Sequence, residues 1–322
     1  MNKGDIVNKK YKKIFLIIIL ILALFFVFIY KYNGDLLREI FDYFNVIDLK
    51  NNDDNEEAEL VVTVINVGHG DSLLIKSVDD ENKNHFCLVD TGSGRYSQNV
   101  IECLDRNKVK NLDFIMISHT HSDHMGSLSG ILKSKSSNEI IVPNYFKVKE
   151  KILSNNKIRT LVKENKIKIK NVKPDQKIFI GKAYFNVLYP IIEKKQKLPK
   201  DLNDSSIVGI LNYDNFKMMF TGDATSKIEK IILNNYKPDE LKCDILKLAH
   251  HGSSTSSSLN FLKVVNPRYA VISSGDDKDI IYPHPSVKER LENLNVDYYN
   301  TKAEGDIVIS VINNKCKIKT QN

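Results

Sequence analysis

The hydrophobic and polar positions divide the chain into an apolar run near its start, a polar connecting segment and a long region of short elements. Residues 14–30 are apolar without interruption, close to the roughly 20 residues that span a bilayer. Residues 1–13 carry five lysines against one aspartate, which predicts that they stay in the cytoplasm. No small-residue cleavage site follows, so we expect a signal anchor at 14–30 and a single-pass protein of the cell membrane.

The remainder reads as a stalk over residues 31–58, ending in an acidic and Asn-rich stretch, and a domain over 59–322. Apolar and alternating runs predict strands at 60–67, 72–76, 86–89, 114–117, 140–142, 183–188, 207–212, 217–220, 245–248, 269–273, 307–311 and 315–318. Helical spacing predicts helices at 99–106, 126–133, 224–234 and 285–294. Strands come first and then alternate with helices, which favours an α/β sandwich of sheets with helices outside.

Metal-ligating side chains come directly after several of these predicted strands. Three of the eight histidines lie in the segment 118–126, which follows the strand at 114–117. Imidazole nitrogens and carboxylate oxygens suit zinc, manganese or iron. Alternation puts His119 and His121 on one side of this turn and leaves Asp123 and His124 for the other, as two neighbouring metal ions would require. Asp90, Asp223 and the pair His250–His251 also follow predicted strands, and strand ends converge at one sheet edge.

These motifs resemble those of a known superfamily. The segment from His119 to His124 has the signature of the metallo-β-lactamase fold. Within that superfamily, further segments resemble the hydrolase domain of ComEC-type competence proteins: 67–72, 220–223, 247–253 and 282–285. The resemblance covers roughly residues 60–312. It implies an αββα sandwich, two metal ions and hydrolysis, with phosphodiesters of DNA as the substrate.

The resemblance also implies roles for single residues. His119 and His121 would bind the first metal ion, and Asp123, His124 and a histidine of the 250–251 pair would bind the second. Asp223 would bridge the two ions. We favour His251 over His250 because it stands beside Gly252 at the tip of its loop. The catalytic residues would be Asp123 and Asp223, with Asp123 orienting a metal-bound water and able to accept its proton as the hydroxide forms. Zinc is the expected metal, with manganese as the alternative.

Other residues are expected around this centre. Asp90 would accept a hydrogen bond from a ligand histidine and so orient it, although it could instead begin a turn. Asp71 and His69 border the first glycine-rich loop and would either touch the site or simply form a turn. His250 is expected beside the site. Ser253 and Ser254 would hold a phosphate oxygen, although the serine-rich segment 253–258 could instead be a linker. His284 would reach the substrate or merely cap the helix after it.

Two features depart from the family pattern. No histidine lies between His124 and His250, so the first ion would have three protein ligands, completed by Asn203, Asp204, Ser205 or water. The chain also has one long apolar run, whereas the competence proteins have many membrane spans. The resemblance therefore extends to the hydrolytic domain and gives no support to a DNA-uptake channel.

Charge and cysteine usage add two expectations. The formal net charge is +7, and residues 145–200 hold sixteen Lys or Arg against four Asp or Glu. Such a block can bind a polyanion, namely nucleic acid, teichoic acid or anionic lipid, or it can be an ordinary solvated surface. The four cysteines show no paired short spacing, which argues against a zinc knuckle. One or two disulfides are possible outside the cell, although Cys87 and Cys243 lie in apolar runs and are expected to be packed.

Three functions follow from these observations. The leading hypothesis is a membrane-anchored, metal-dependent phosphodiesterase or nuclease that acts on DNA. The second is a hydrolase of a small or cell-wall ester, such as phosphorylcholine, a lactone or a β-lactam. The third is a non-catalytic protein that binds a polyanion through residues 145–200.

Overall fold

Short apolar strands build two β-sheets that pack face to face. A computed structural model describes residues 58–192, 196–275, 281–313 and 315–322. The strands are β1 (Leu60–Val64), β2 (Leu73–Val78), β3 (Asn84–Val89), β4 (Asn111–Leu112), β5 (Phe114–Met116), β6 (Ser136–Ser137), β7 (Glu139–Val142), β8 (Lys168–Asn171), β9 (Lys177–Ile180), β10 (Ala183–Tyr189), β11 (Val208–Tyr213), β12 (Phe216–Phe220), β13 (Ile245–Lys247), β14 (Tyr269–Ile272), β15 (Asp297–Asn300), β16 (Ile307–Ile312) and β17 (Lys315–Thr320).

One sheet has eight strands in the order β17-β16-β1-β2-β3-β5-β7-β8, and the other has seven in the order β15-β14-β13-β12-β11-β10-β9. Strands β4 and β6 form a small separate pair. Alternate residues of each strand face the opposing sheet, as Leu60, Val62 and Val64 do in β1. They meet residues such as Phe185 and Met218 of the other sheet in one buried cluster. This apolar layer between the sheets is the centre of the fold.

Helices cover both outer faces. They are α1 (Ser97–Arg106), α2 (Ser122–Met125), α3 (Leu128–Ser134), α4 (Val148–Leu153), α5 (Asn156–Glu164), α6 (Ser226–Asn235), α7 (Pro238–Leu241), α8 (Leu259–Val265), α9 (Pro285–Asn293) and α10 (Thr301–Glu304). Helices α1, α3, α4 and α5 bury side chains such as Leu104 and Ile131 against the eight-stranded sheet. Helices α6, α8 and α9 do the same against the other sheet, through Ile228 and Phe261 among others. The expected αββα sandwich is confirmed.

Most predicted elements lie within a few residues of observed ones, and three differences matter. The helix predicted at 126–133 is α3, and a further short helix, α2, begins before it at Ser122, so Asp123 and His124 lie in the first turn of α2. Helix α8 and strand β15 were missed. Helix α8 begins after a serine-rich segment, where Ser258 caps it by accepting a hydrogen bond from the Phe261 N–H.

The expected basic N-terminus, transmembrane helix at 14–30 and stalk lie outside the described residues. Among the residues that are described, no helix has the length and apolar character to cross a bilayer. Residues Ala58–Asn322 form one compact unit. All four cysteines are free, and Cys87, Cys103 and Cys243 are buried. The expected packing of Cys87 and Cys243 is confirmed, and the alternative of disulfides is wrong, because no two of the cysteines are bonded.

Strand direction determines where the functional loops lie. Strands β3, β5 and β7 run parallel to one another, as do β12, β13 and β14. The Ile207 N–H, just before β11, donates to the Ser118 carbonyl after β5 and so links the two sheets at this edge. The His250 N–H donates to the Gly222 carbonyl, which links the loops after β13 and β12. The predicted site residues therefore gather at one edge of the two sheets.

Candidate metal centre

The first group of candidate ligands consists of His119, His121 and Asp223. His119 is fully buried, and its Nε2 lies 2.9 Å from Nδ1 of His121 and 3.8 Å from Oδ2 of Asp223. These three side chains are close enough together to hold one metal ion. Burial lowers the pKa of His119 well below its usual range, so its imidazole is neutral and able to act as a ligand.

The second group consists of Asp123, His124, Asp223 and His251. Nε2 of His124 lies 3.2 Å from Oδ1 of Asp223 and 3.6 Å from Oδ2 of Asp123. Nε2 of His251 lies 3.7 Å and 3.3 Å from the same two oxygens. Ligand atoms bound to zinc at about 2.1 Å at the corners of a tetrahedron are about 3.4 Å apart, so the spacing of this group fits a metal ion.

Three atoms of the second group have no hydrogen-bond partner although they are buried: His124 Nε2, His251 Nε2 and Asp223 Oδ1. Buried polar atoms are nearly always hydrogen-bonded, and an exception calls for an explanation. A metal ion bound by these atoms supplies one, since each would then have its partner. The donor set and its unpartnered atoms both suit a divalent cation.

Asp223 joins the two groups. Its Oδ1 faces His124 and His251, whereas its Oδ2 faces His119. Burial would raise the pKa of this carboxyl, but the neighbouring His124 and His251 hold it well below its usual range. The carboxylate is therefore ionised and presents one oxygen to each group, which is the geometry of a bridging ligand.

Asp90 fixes the orientation of His124. Its Oδ2 lies 2.8 Å from Nδ1 of His124, and its Oδ1 accepts the Ser118 N–H at 2.7 Å. Asp90 adopts a left-handed backbone conformation with a φ of 59°, which is uncommon outside glycine. Because Nδ1 of His124 is hydrogen-bonded to Asp90, the other ring nitrogen, Nε2, points to the centre. The alternative, in which Asp90 only begins a turn, does not account for this contact.

Asp71 lies behind His251, in contact with a residue that the sequence analysis did not single out. Its Oδ2 lies 2.8 Å from Nζ of Lys247, and both side chains are almost fully buried. Its Oδ1 lies 3.4 Å from Nδ1 of His251, which is itself 2.8 Å from the Ser273 carbonyl oxygen. In the sequence, this buried ion pair was indicated only by a single lysine in the otherwise apolar strand predicted at 245–248.

Gly70 allows the loop before Asp71 to approach this centre. Its φ is 140°, and a Cβ atom at this position would lie 2.3 Å from the Asp123 carbonyl oxygen. The Asp71 N–H donates to that same carbonyl at 3.2 Å. A side chain at position 70 would therefore push the loop away from the backbone of Asp123.

The two adjacent histidines after β13 have different surroundings. Both adopt left-handed backbone conformations, with φ of 51° at His250 and 56° at His251. His251 is fully buried within the second group, whereas His250 is half-buried, with Nδ1 3.1 Å from Thr255 Oγ1 and Nε2 3.9 Å from Asp223 Oδ2. His250 belongs to neither group of candidate ligands. This arrangement agrees with the choice of His251 over His250.

The remaining candidates lie near the centre or are otherwise engaged. Ser253 Oγ is 3.0 Å from Thr255 Oγ1, and Ser254 beside it is exposed. His69 Nε2 lies 3.8 Å from Asp123 Oδ2, which places the first loop at the second group. His284 accepts the Ser286 N–H at the start of α9, so its capping alternative is confirmed.

Asp204 and Ser205, two of the residues expected to complete the first group, form hydrogen bonds with other parts of the chain. Asp204 accepts hydrogen bonds from Thr225 Oγ1 and from Lys227 Nζ, the latter at 2.8 Å, so its carboxylate is engaged. Ser205 Oγ donates to the Leu202 carbonyl at 2.6 Å. Asn203 remains available, because its buried Oδ1 has no hydrogen-bond partner.

Known proteins resemble this chain in both sequence and fold. Residues 65–276 match the family model of the metallo-beta-lactamase superfamily. ComE operon protein 3 of Bacillus subtilis is 26% identical over 78% of this chain and 33% of its own length. Competence protein ComA of Neisseria gonorrhoeae is 27% identical over 77% of this chain and 32% of its own length. The chain thus spans about a third of the length of these two relatives.

The crystal structure of the metallo-beta-lactamase fold protein YhfI from Bacillus subtilis superposes with a TM-score of 0.51. It covers 77% of this chain and 99% of YhfI at 13% identity, which is a likeness of fold alone. The resemblance to ComEC-type competence proteins is confirmed by the relatives. The chain belongs to the metallo-beta-lactamase superfamily, and the part that the structure describes is a metal-dependent hydrolase domain with His and Asp clusters suited to divalent metal ions.

Proposed function

We propose that this chain is a metal-dependent phosphodiesterase that cleaves nucleic acid, in particular DNA. The observation that carries the proposal is the carboxylate of Asp223, which presents one oxygen to each of two groups of ligand atoms. Two ions held about a shared ligand are a common arrangement in enzymes that cleave phosphate esters, where they stabilise the attacking and leaving oxygens.

The choice of nucleic acid rests on two further observations. The relatives include a protein named for competence, and the chain carries the basic block at 145–200. Most of the lysines of this block that the structure describes are exposed, so they are available to phosphate groups. A small neutral ester would gain nothing from such a surface.

The chemistry divides between the metal ions and the residues of the chain. Bound divalent ions would supply an activated water and stabilise negative charge on the phosphoryl group. The carboxylate of Asp123 is partly exposed, with its Oδ2 facing His124 and His251. Burial would raise the pKa of Asp123, but the hydrogen bond from His251 and the neighbouring His124 lower it below its usual range. Asp123 is therefore ionised and can accept a hydrogen bond from the attacking water.

We further propose zinc as the metal, with manganese as the alternative, and membrane anchoring through residues 14–30. The spacing of the second group supports zinc, because it fits tetrahedral coordination. The length and apolar character of residues 14–30 support the anchor, and the basic residues before it support a cytoplasmic N-terminus with the hydrolase domain outside the cell.

A direct test uses the full chain loaded with zinc or with manganese. Single-stranded DNA, double-stranded DNA and bis-p-nitrophenyl phosphate would be offered to the wild type and to the His121→Ala and Asp123→Ala variants. We expect metal-dependent cleavage by the wild type and its loss in both variants. The control is His85→Ala, which removes a histidine on β3 that contacts Asp79 and Asp113. Failure of the metal-loaded wild type to cleave any phosphodiester would contradict the proposal.

A further inference from the structure

Phe146 is an exposed aromatic side chain within the basic block. Its relative exposure is 53%, although large apolar side chains are mostly buried in this domain. Tyr145, directly before it, is 5% exposed. The chain therefore buries one aromatic ring and presents the next one to solvent.

The position of Phe146 in the fold brings it to the edge of the sandwich that holds the candidate metal centre. Strand β7 ends at Val142 and lies parallel to β5, whose following loop begins with Ile117 and Ser118. The Ile117 N–H donates to the Ile141 carbonyl at 2.8 Å, so the two strands end side by side. Phe146 is four residues beyond Val142, which limits their separation to about 14 Å.

The backbone around Phe146 is fixed by contacts to the end of β10 and to the segment after it. Asn144 Nδ2 donates to the Ile192 carbonyl at 3.3 Å, and the hydroxyls of Tyr145 and Tyr189 are 2.8 Å apart. The Phe146 N–H donates to the Gln196 carbonyl at 2.7 Å. An anchored backbone below an exposed ring makes a preformed platform, which binds with a smaller entropy cost than a mobile side chain.

Three lysines come shortly after Phe146 in the sequence. Lys147 and Lys151 are exposed and Lys149 is half-buried, and none of the three forms an ion pair with a residue in the described ranges. Lys170 and Lys182, elsewhere in the block, are instead paired with Glu139 and Glu59. The positive charge beside Phe146 is therefore available to a ligand.

We propose that Phe146 stacks on an unpaired nucleobase of a nucleic-acid strand whose phosphates lie along Lys147, Lys149 and Lys151. An exposed aromatic ring beside lysines is the combination that binds single strands without sequence preference. A polyanion without bases would bind the lysines, but it would not contact the ring of Phe146, which would stay exposed to solvent. This subsite rests on the proposed function, because it positions a strand across the candidate metal centre.

The test uses tryptophan fluorescence, because the chain contains no tryptophan. Phe146→Trp introduces one fluorophore at the proposed subsite. Its matched control is Phe179→Trp, at a residue with 66% exposure on β9. Phe179 pairs with Tyr184, near the start of β10, whereas Tyr189 at the other end of β10 contacts Tyr145. The control ring is therefore exposed and within the basic block, but remote from the subsite.

Both variants would be titrated, as full-length metal-free protein, with single-stranded oligo(dT), with a blunt duplex of equal length and with inorganic polyphosphate. We expect oligo(dT) to quench the fluorescence at position 146 and to leave that at position 179 unchanged. Polyphosphate and the duplex should quench position 146 much less. Absence of quenching by oligo(dT), or equal quenching by polyphosphate or by the duplex, would overturn the proposal.

A kinetic measurement gives an independent readout. Phe146→Ala should raise the KM for metal-dependent cleavage of oligo(dT) by about 5- to 150-fold, the loss expected for one stacked base. Its kcat/KM for bis-p-nitrophenyl phosphate should equal that of the wild type. An unchanged KM for oligo(dT) would overturn the subsite while leaving the proposed function intact. Quenching by oligo(dT) in a protein that cleaves no phosphodiester would support the subsite and contradict the proposed function.

Discussion

Lys247 Nζ and Asp71 Oδ2 lie 2.8 Å apart in an ion pair that is almost completely buried behind His251. Burial raises the pKa of the Asp71 carboxyl, but Lys247 and His251 outweigh it and lower the pKa to about 2. Asp71 also accepts the Gly92 N–H through its carbonyl oxygen. Asp71 thus contacts both the loop that follows Asp90, through Gly92, and the side chain of His251.

Removing one partner of this pair should destabilise the domain strongly. Lys247→Met leaves the Asp71 carboxylate buried without its cation, which costs about 3–5 kcal/mol in comparable cases. Urea denaturation would measure the free energy of unfolding, with the exposed Lys263→Met as the control. In the double variant Lys247→Met/Asp71→Leu, part of the lost stability should return, because no unpaired charge remains. A loss below about 1 kcal/mol in Lys247→Met would contradict the role given to the pair.

The contact between Asp90 and His124 should contribute to metal affinity. Asp90→Asn keeps the size of the side chain but removes the negative charge beside Nδ1 of His124. We expect metal affinity to fall about 10- to 100-fold, measured by competition with a chromogenic chelator. Asp113→Asn, which changes a carboxylate near His85, is the control. Equal affinity of the Asp90→Asn variant and the wild type would exclude the orienting role.

The adjacent histidines 250 and 251 should respond differently to substitution. His251→Ala removes a member of the second group, so about half of the bound metal should be lost. His250→Ala should retain the full metal content, because His250 belongs to neither group. Elemental analysis of both purified variants distinguishes them. Loss of metal from His250→Ala and full retention in His251→Ala would reverse the assignment.

The thiols should be unreactive in the folded protein. Burial raises the pKa of Cys87 and Cys243 well above the usual range and that of Cys103 to about 12. Burial also raises the pKa of Cys316 to about 11, although this thiol is partly accessible. With a thiol reagent at pH 8, we expect at most slow labelling of Cys316. Four thiols should react once the protein is denatured without reductant, and fewer than four would indicate a disulfide.

Much of the candidate site follows from local sequence. His119, His121, Asp123 and His124 lie within six residues, so one loop brings them together whatever the rest of the fold does. Asp90 and Asp223 were predictable because they follow strands that run toward the same edge. The structure brings these residues together as expected, and their roles as ligands remain proposals.

Contacts between distant segments were less predictable. Lys247 pairs with Asp71, which is 176 positions earlier in the chain. The pattern of hydrophobic and polar positions can suggest that a charge is buried, but it cannot identify the residue that pairs with it. Asp204 was expected near the first ion, but Thr225 and Lys227 engage its carboxylate. Helix α8 was missed because serines before it resemble a linker, whereas one of them is its cap.

The metal content of the full chain tests the central claim most directly. Wild-type protein and Asp223→Ala would be loaded with zinc or with manganese, freed of unbound metal and analysed for metal per chain, with Asp80→Ala in an exposed turn as the control. We predict two ions per chain in the wild type and the control, and one or none in Asp223→Ala, because both groups share this carboxylate. No metal in the wild type, or two ions retained in Asp223→Ala, would contradict a centre built around Asp223.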